Sequence, residues 1–184
     1  PMTYPPKNIN GILISGFLCT DINKVVYPQS CNEILKNKGY IIEPEPGLIR
    51  KSKSLFLQEL TRSFQKRIEI AEYFLFKENW DFFQLHIMAT DRINHFKKKK
   101  KNDTGTKNGS ILEDFYQKID KGLERFADYA ATNKIPLIIL SDHGFCDFNY
   151  SMDLNNWLSR NGWLSLNKSE KGLSAVSKKA KVYS

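Results

Sequence analysis

Two segments with helical periodicity each run into a short apolar stretch, and this alternation restricts the chain more than any other feature of it. Between positions 52 and 79, Leu57, Leu60, Phe64, Ile68, Ala71 and Leu75 recur at close to helical spacing, with Arg and Lys between them. The spacing predicts one long amphipathic helix over 52–79 whose apolar stripe packs on a sheet. Residues 80–88 follow, largely apolar and without clean alternation, as a strand buried on both faces of a parallel sheet reads. A second helix is predicted over 110–133, with Leu112, Phe115, Tyr116, Ile119, Leu123 and Phe126 on one side. Residues 136–140, short and rich in branched side chains, read as a second buried strand. Helix and strand in alternation predict an α/β domain with a mainly parallel sheet.

The first fifty residues are less regular. Loops around a short strand are predicted over 1–24, then a short helix over 28–38 ending near Gly39, then a strand at 40–42. The run Glu43-Pro44-Glu45-Pro46-Gly47 is a break, because Pro and Gly both interrupt regular structure. With 184 residues, 41% of them hydrophobic, the chain supports one sizeable core. It opens on Pro1 in a stretch that reads as the interior of something longer. The expectation is that 1–184 forms the central part of one larger domain, with N- and C-terminal parts outside it.

No charged and then apolar leader pattern is present, and the longest apolar stretches, such as 135–140, are too short for a transmembrane segment. A cytoplasmic location is expected. Cys19, Cys31 and Cys146 are odd in number and lack C-x-x-C spacing, which argues against a disulfide framework or zinc ribbon and for reduced, mostly buried thiols. The net charge of +8 is concentrated in the lysines at 97–101 and in Lys178, Lys179 and Lys181. A lysine run without interleaved aromatics reads as a solvated loop, so no specific nucleic acid partner is expected.

Both predicted strands end in a carboxylate and an imidazole. The first leads into Thr90-Asp91-Arg92-Ile93-Asn94-His95, the second into Ser141-Asp142-His143-Gly144-Phe145. In open α/β sheets the ligand crevice lies at the carboxyl ends of the strands. Asp91 and His95 are four apart, so a helical turn sets both on one face. Asp142 and His143 are adjacent and reach one ion only if the backbone turns sharply, which Gly144 permits. Carboxylate oxygen with imidazole nitrogen suits zinc or another borderline divalent cation. Against this, an Asp-x-x-x-His spacing also arises as a surface pairing, and Asp-His-Gly as a helix cap or turn. His86, inside the first apolar run, reads as a hydrogen-bonded core or supporting histidine. Arg92 suits either a substrate phosphate or an ion pair within the fold, and Asp120 a supporting contact or a helix surface.

Ser141-Asp142-His143-Gly144-Phe145 after a short hydrophobic strand, with Asp91-x-x-x-His95 upstream, resembles the alkaline phosphatase superfamily, most closely its type I phosphodiesterase/nucleotide pyrophosphatase branch. Thr3-Tyr4-Pro5-Pro6, Asn10-Gly11, Ser15-Gly16-Phe17, Tyr116-x-x-x-Asp120, Asn155-x-Trp157-Leu158 and Gly162 also resemble that branch in order. The resemblance implies an alkaline-phosphatase-like three-layer sandwich, incomplete here, and hydrolysis of phosphoesters with two divalent metal ions, zinc first and manganese second. It implies that Asp91 and His95 bind one ion and Asp142 and His143 the other. The family's nucleophile, a Thr or Ser, and its first metal-binding Asp lie upstream of these residues, and its last His downstream. Neither Thr90 nor Thr3 matches the nucleophile's position, and the chain by itself is expected to be inactive. The substrate implied is a small-molecule, lipid or nucleotide phosphoester. A sulfatase, a phosphotransferase or a noncatalytic binding relative are the alternatives.

Overall fold

The computed structural model describes residues 4–16, 19–45, 47–96, 107–146 and 150–165, in two compact units, 1–140 and 141–184. The first unit contains strands β1 (Leu13–Ile14) and β2 (Val26–Tyr27) and helices α1 (Asn32–Asn37), α2 (Leu48–Lys51), α3 (Lys53–Lys77), α4 (Ala89–Phe96) and α5 (Lys107–Thr132). The second contains α6 (Leu154–Arg160). The lysines at 97–101, Lys178, Lys179 and Lys181, and Thr3 and Phe17 of the family-like stretch, lie outside the described residues.

Ser52 sets the start of α3. Its backbone is extended (φ −156°) and its side chain accepts from the Leu55 amide, satisfying one of the donors that a helix start leaves open. Leu60, Phe64, Ile68, Ala71 and Leu75 of the predicted stripe are buried, with Phe56 in place of the predicted Leu57, which is only partly buried. This stripe packs on Ala89 and Ile93 of α4 and on Phe115, Ile119 and Phe126 of α5. The stripe was expected to meet a sheet; it meets helices. A second stripe, Ile70 and Phe74, is buried on another side of α3 against Cys19, Val25, Val26, Cys31 and Leu35. α3 is thus the shared wall of two cores, which explains why a helix with basic residues between its apolar ones still buries nine side chains.

The sheet departs from the expected one. Among the described residues it has two strands, antiparallel, with Leu13 opposite Tyr27 and Ile14 opposite Val26. Segments 40–42, 80–88 and 136–140 form no ladder. For 80–88 the apolar content is used in another way: Phe83, Leu85 and Ile87 lie on the α3–α4–α5 core, while Phe82 is exposed. That is the period-two alternation of extended backbone, supported on a helical surface. Segment 136–140 is exposed, with Ile138 77%, Ile139 78% and Leu140 81% accessible. A parallel strand takes its hydrogen bonds from neighbouring strands, and among the described residues no strand pairs with this one.

Three helices end in the same way. After α1 the Gly39 amide donates to Lys36 and that of Tyr40 to Leu35, with Gly39 at φ +65°. After α6 the Gly162 amide donates to Ser159 and that of Trp163 to Leu158, with Gly162 at φ +77°. This is the Schellman arrangement, in which a left-handed residue closes the last carbonyls. α5 ends likewise, but with Lys134 at φ +56° in the glycine position, and Pro136 then bars further helix.

Gly122 on α5 has a different role. A Cβ there would stand 2.9 Å from Phe64 Cζ. Phe64 is 4% exposed and its ring lies 6.1 Å from that of Phe115, so it has nowhere to retreat. Gly122→Ala gains about 1 kcal/mol of helix propensity and incurs about 1–3 kcal/mol of overpacking. A net loss of about 1 kcal/mol is expected, read as a lower urea midpoint at unchanged m-value. An increase in the midpoint would mean α3 and α5 do not approach this closely.

Of the cysteines, Cys19 and Cys31 are buried and Cys146 is exposed; all three are free thiols. Burial pushes the Cys31 thiol up. Among the described residues no helix is long and apolar enough to cross a membrane.

Candidate metal-binding and hydrolytic site

The helical turn predicted after residue 88 is α4. Ala89 and Ile93 are buried, Ile93 completely, so they anchor one face while Asp91 and His95 stand on another. Asp91 Oδ1 and His95 Nε2 are 3.4 Å apart, with the carboxylate 22% and the imidazole 66% exposed. Two ligands of a tetrahedral zinc, each at 2.0–2.1 Å, are separated by about 3.4 Å along the tetrahedron's edge. The separation of the pair therefore matches one edge of such a site.

Around this pair lies an ion-pair chain that the sequence reading missed. Arg92 Nη1 is 3.9 Å from Asp91 Oδ2, and its Nε is 3.5 Å from Glu43 Oε2. Glu43 Oε1 is in turn 3.5 Å from Arg67 Nη2. Arg67 also donates to the Ile42 carbonyl at 2.7 Å and the His86 carbonyl at 3.2 Å. Arg92 thus takes the intramolecular ion pair among its two expected uses. Beside Arg67, burial pushes the Tyr40 phenol up, against the opposing pull of the guanidinium. On the far side of α4, Asn94 donates to the Thr90 carbonyl and to the Tyr116 hydroxyl, both at 2.8 Å. Thr90 donates its own hydroxyl to the Ile87 carbonyl. His86 is half-buried and Asp120 exposed on its helix.

Asp142 and His143 belong to the second unit. The Ser141 hydroxyl donates to the His143 carbonyl at 2.6 Å, folding the backbone at the motif. His143 Nδ1 lies 3.0 Å from the Gly144 carbonyl. A carbonyl only accepts, so Nδ1 carries the hydrogen and neutral His143 holds its lone pair on Nε2. Metal-binding histidines are commonly oriented by this kind of bond from the other ring nitrogen. Nε2 and Asp142 Oδ1 are 3.9 Å apart, with side chains 55% and 81% exposed. That is wider than a tetrahedral edge by about half an ångström, a difference that rotation of the exposed carboxylate covers.

Each motif thus presents one carboxylate oxygen and one imidazole nitrogen close together. Among the described residues no three His, Cys, Asp or Glu side chains gather as one metal-binding group, whereas catalytic zinc takes three protein ligands. The sequence profile of one family, type I phosphodiesterase / nucleotide pyrophosphatase, matches residues 13–183. The chain belongs to the type I phosphodiesterase/nucleotide pyrophosphatase family. It is a family of phosphoester hydrolases in the alkaline phosphatase superfamily, generally metal-dependent, with an alkaline-phosphatase-like α/β fold. The phosphodiesterase match includes both Asp-His motifs. No curated protein and no solved structure matches the chain.

Proposed function

We infer that this phosphodiesterase-family chain contributes to a two-metal centre that hydrolyses a small-molecule, lipid or nucleotide phosphoester. Asp91 and His95 hold one divalent cation, zinc first and manganese second, and Asp142 and His143 hold the other. The observation that carries this reading is the 3.4 Å pairing of Asp91 and His95 on α4, within a chain that matches a phosphodiesterase family from 13 to 183. The remaining ligands and the Thr or Ser nucleophile are residues other than these four, held by an alkaline-phosphatase-like three-layer sandwich. A cytoplasmic site of action is part of the proposal.

When bound, paired divalent cations supply Lewis acidity to the phosphoryl oxygens and to both the attacking and leaving oxygens of an in-line displacement. The chain's own residues prepare for this in separate ways. Ile93, buried completely, fixes the rotation of α4 so that Asp91 and His95 share a face. The Nδ1 hydrogen bond to Gly144 turns the basic nitrogen of His143 outward. Asp91 and Asp142 bring negative charge that offsets the cations.

In the intact protein, two divalent ions per chain are expected by elemental analysis. Removal with a chelator is expected to abolish hydrolysis of a chromogenic phosphodiester, and zinc or manganese to restore it. Hydrolysis is also expected to fall in acid, because an imidazole or carboxylate ligates only when deprotonated. Full activity in chelated, metal-free protein would end the proposal.

A further inference from the structure

We propose that Glu43, clamped by Arg67 and acting through Arg92, is a positioning residue for the Asp91 carboxylate; this deepens the metal-ligand reading of Asp91 and rests on it.

Four charges alternate in sign across the packed face of the first unit. Arg67, on α3, is the most buried, its side chain 11% exposed. It bonds two backbone carbonyls, Ile42 and His86, from the two segments that flank it. Its guanidinium is therefore a fixed point tying the 40–45 loop and the 80–88 segment to α3. Glu43, 21% exposed, spans two cations: its Oε1 faces Arg67 and its Oε2 faces Arg92. Arg92 in turn faces Asp91 Oδ2, while Asp91 Oδ1 faces His95 Nε2. The guanidinium and the imidazole thus approach different oxygens of one carboxylate.

Mere glue is a poor account of this arrangement. The three charge contacts of the chain are 3.5 to 3.9 Å long, longer than the roughly 2.7–2.9 Å of charge-assisted hydrogen bonds. A buried ion pair is also weak evidence for stability, because desolvation offsets the attraction. What the chain does provide is direction. An arginine on a long flexible stem has many rotamers, and holding its Nε on Glu43 selects those that keep Nη1 beside Asp91 Oδ2. That leaves Oδ1 turned to the His95 side, where it and Nε2, 3.4 Å apart, would be the two donors to a shared cation. Partners that orient metal ligands typically change metal affinity about 10–100-fold when removed.

The test is zinc affinity of the intact protein, measured by competition with a chromophoric chelator, for Glu43→Gln, Arg92→Ala, the double variant and Asp91→Asn. Glu43→Gln is expected to weaken zinc binding about 10-fold or more. The same change in the Arg92→Ala background is expected to have no further effect, since its route to Asp91 is gone. A purely structural Glu43 would lower the thermal midpoint in both backgrounds and leave zinc affinity alone, which overturns the proposal. An equal loss of affinity with and without Arg92 also overturns it. If Glu43→Gln does not fold, Arg92→Lys puts the same question at the more exposed partner: affinity unchanged from wild type refutes positioning through Arg92, and a fall of about 10-fold supports it. Asp91→Asn separates the two levels. If it leaves zinc binding intact, the metal-ligand reading fails and the positioning role with it. If it weakens binding while Glu43→Gln does not, the positioning role alone fails.

Discussion

His95→Ala is expected to lower kcat/KM for a chromogenic phosphodiester by about 1,000-fold in the intact protein, with loss of bound metal and little change in fold. The imidazole is 66% exposed and lies outside both apolar clusters, so its removal leaves no cavity. What is lost is the second donor of the pair on α4. Asp91 alone, on the described residues, gives a cation one protein ligand from this helix, far from the three that a catalytic zinc requires. Charge stabilisation by a catalytic cation is worth several kcal/mol. A loss of about 4 kcal/mol corresponds to about 1,000-fold, at 1.36 kcal/mol per decade. Asp142→Asn is expected to act in the same direction, since an amide carries no negative charge to the cation. The readouts are steady-state kinetics, elemental analysis and far-UV circular dichroism on the same samples. His95→Ala protein that keeps both its metal and its activity would remove α4 from the site altogether.

The parts of the molecule legible in the sequence are those in which the deciding contacts are local. The periodicity at Leu60, Phe64, Ile68 and Ala71 marks α3 because successive turns of one helix must bury one face. The Asp91–His95 spacing marks a shared face for the same reason. Gly39 closes α1 where the sequence suggested, since a left-handed residue there costs glycine nothing. Contacts between distant segments were not legible. Glu43 opens the Glu-Pro-Glu-Pro-Gly break that reads as loop, and nothing local reveals that its carboxylate joins Arg67 and Arg92, 24 and 49 positions away. Ile70 and Phe74 lie outside the predicted stripe, and a second core is what makes them buried. Segment 80–88 shows a further ambiguity. A run of apolar residues states that a segment is covered, and leaves open whether strands or helices do the covering. Here the indole of Trp80 donates to the Phe74 carbonyl and Arg67 holds the His86 carbonyl. The first is the segment's own side chain reaching α3; the second, from Arg67 of α3, supplies a backbone bond that a ladder was expected to give.

Ile93→Ala is expected to destabilise the first unit by about 2–5 kcal/mol, the range for truncating a fully buried Ile. The upper half of that range is favoured by the surroundings. Ile93 is 0% exposed and its neighbours in the core include Phe64, Phe115 and Ile119, large side chains on two long helices that cannot easily collapse into the space. Ile93→Val removes a single methylene and is expected to cost about 0.5–1.5 kcal/mol. Urea unfolding measures both as a shift in midpoint at constant slope. Because Ile93 lies between Asp91 and His95 on an eight-residue helix, where the other buried anchor among the described side chains is the small Ala89, the same cavity also loosens the site. Zinc affinity is expected to fall alongside stability, and saturating zinc to recover part of the lost midpoint, since a ligand that binds only the folded state stabilises it by mass action. His95→Ala makes the opposite pattern, with affinity lost and the metal-free midpoint kept. An unchanged midpoint for Ile93→Ala would mean that α4 is not docked on α3 and α5. The pairing of Asp91 with His95 would then rest on a helix with no anchor.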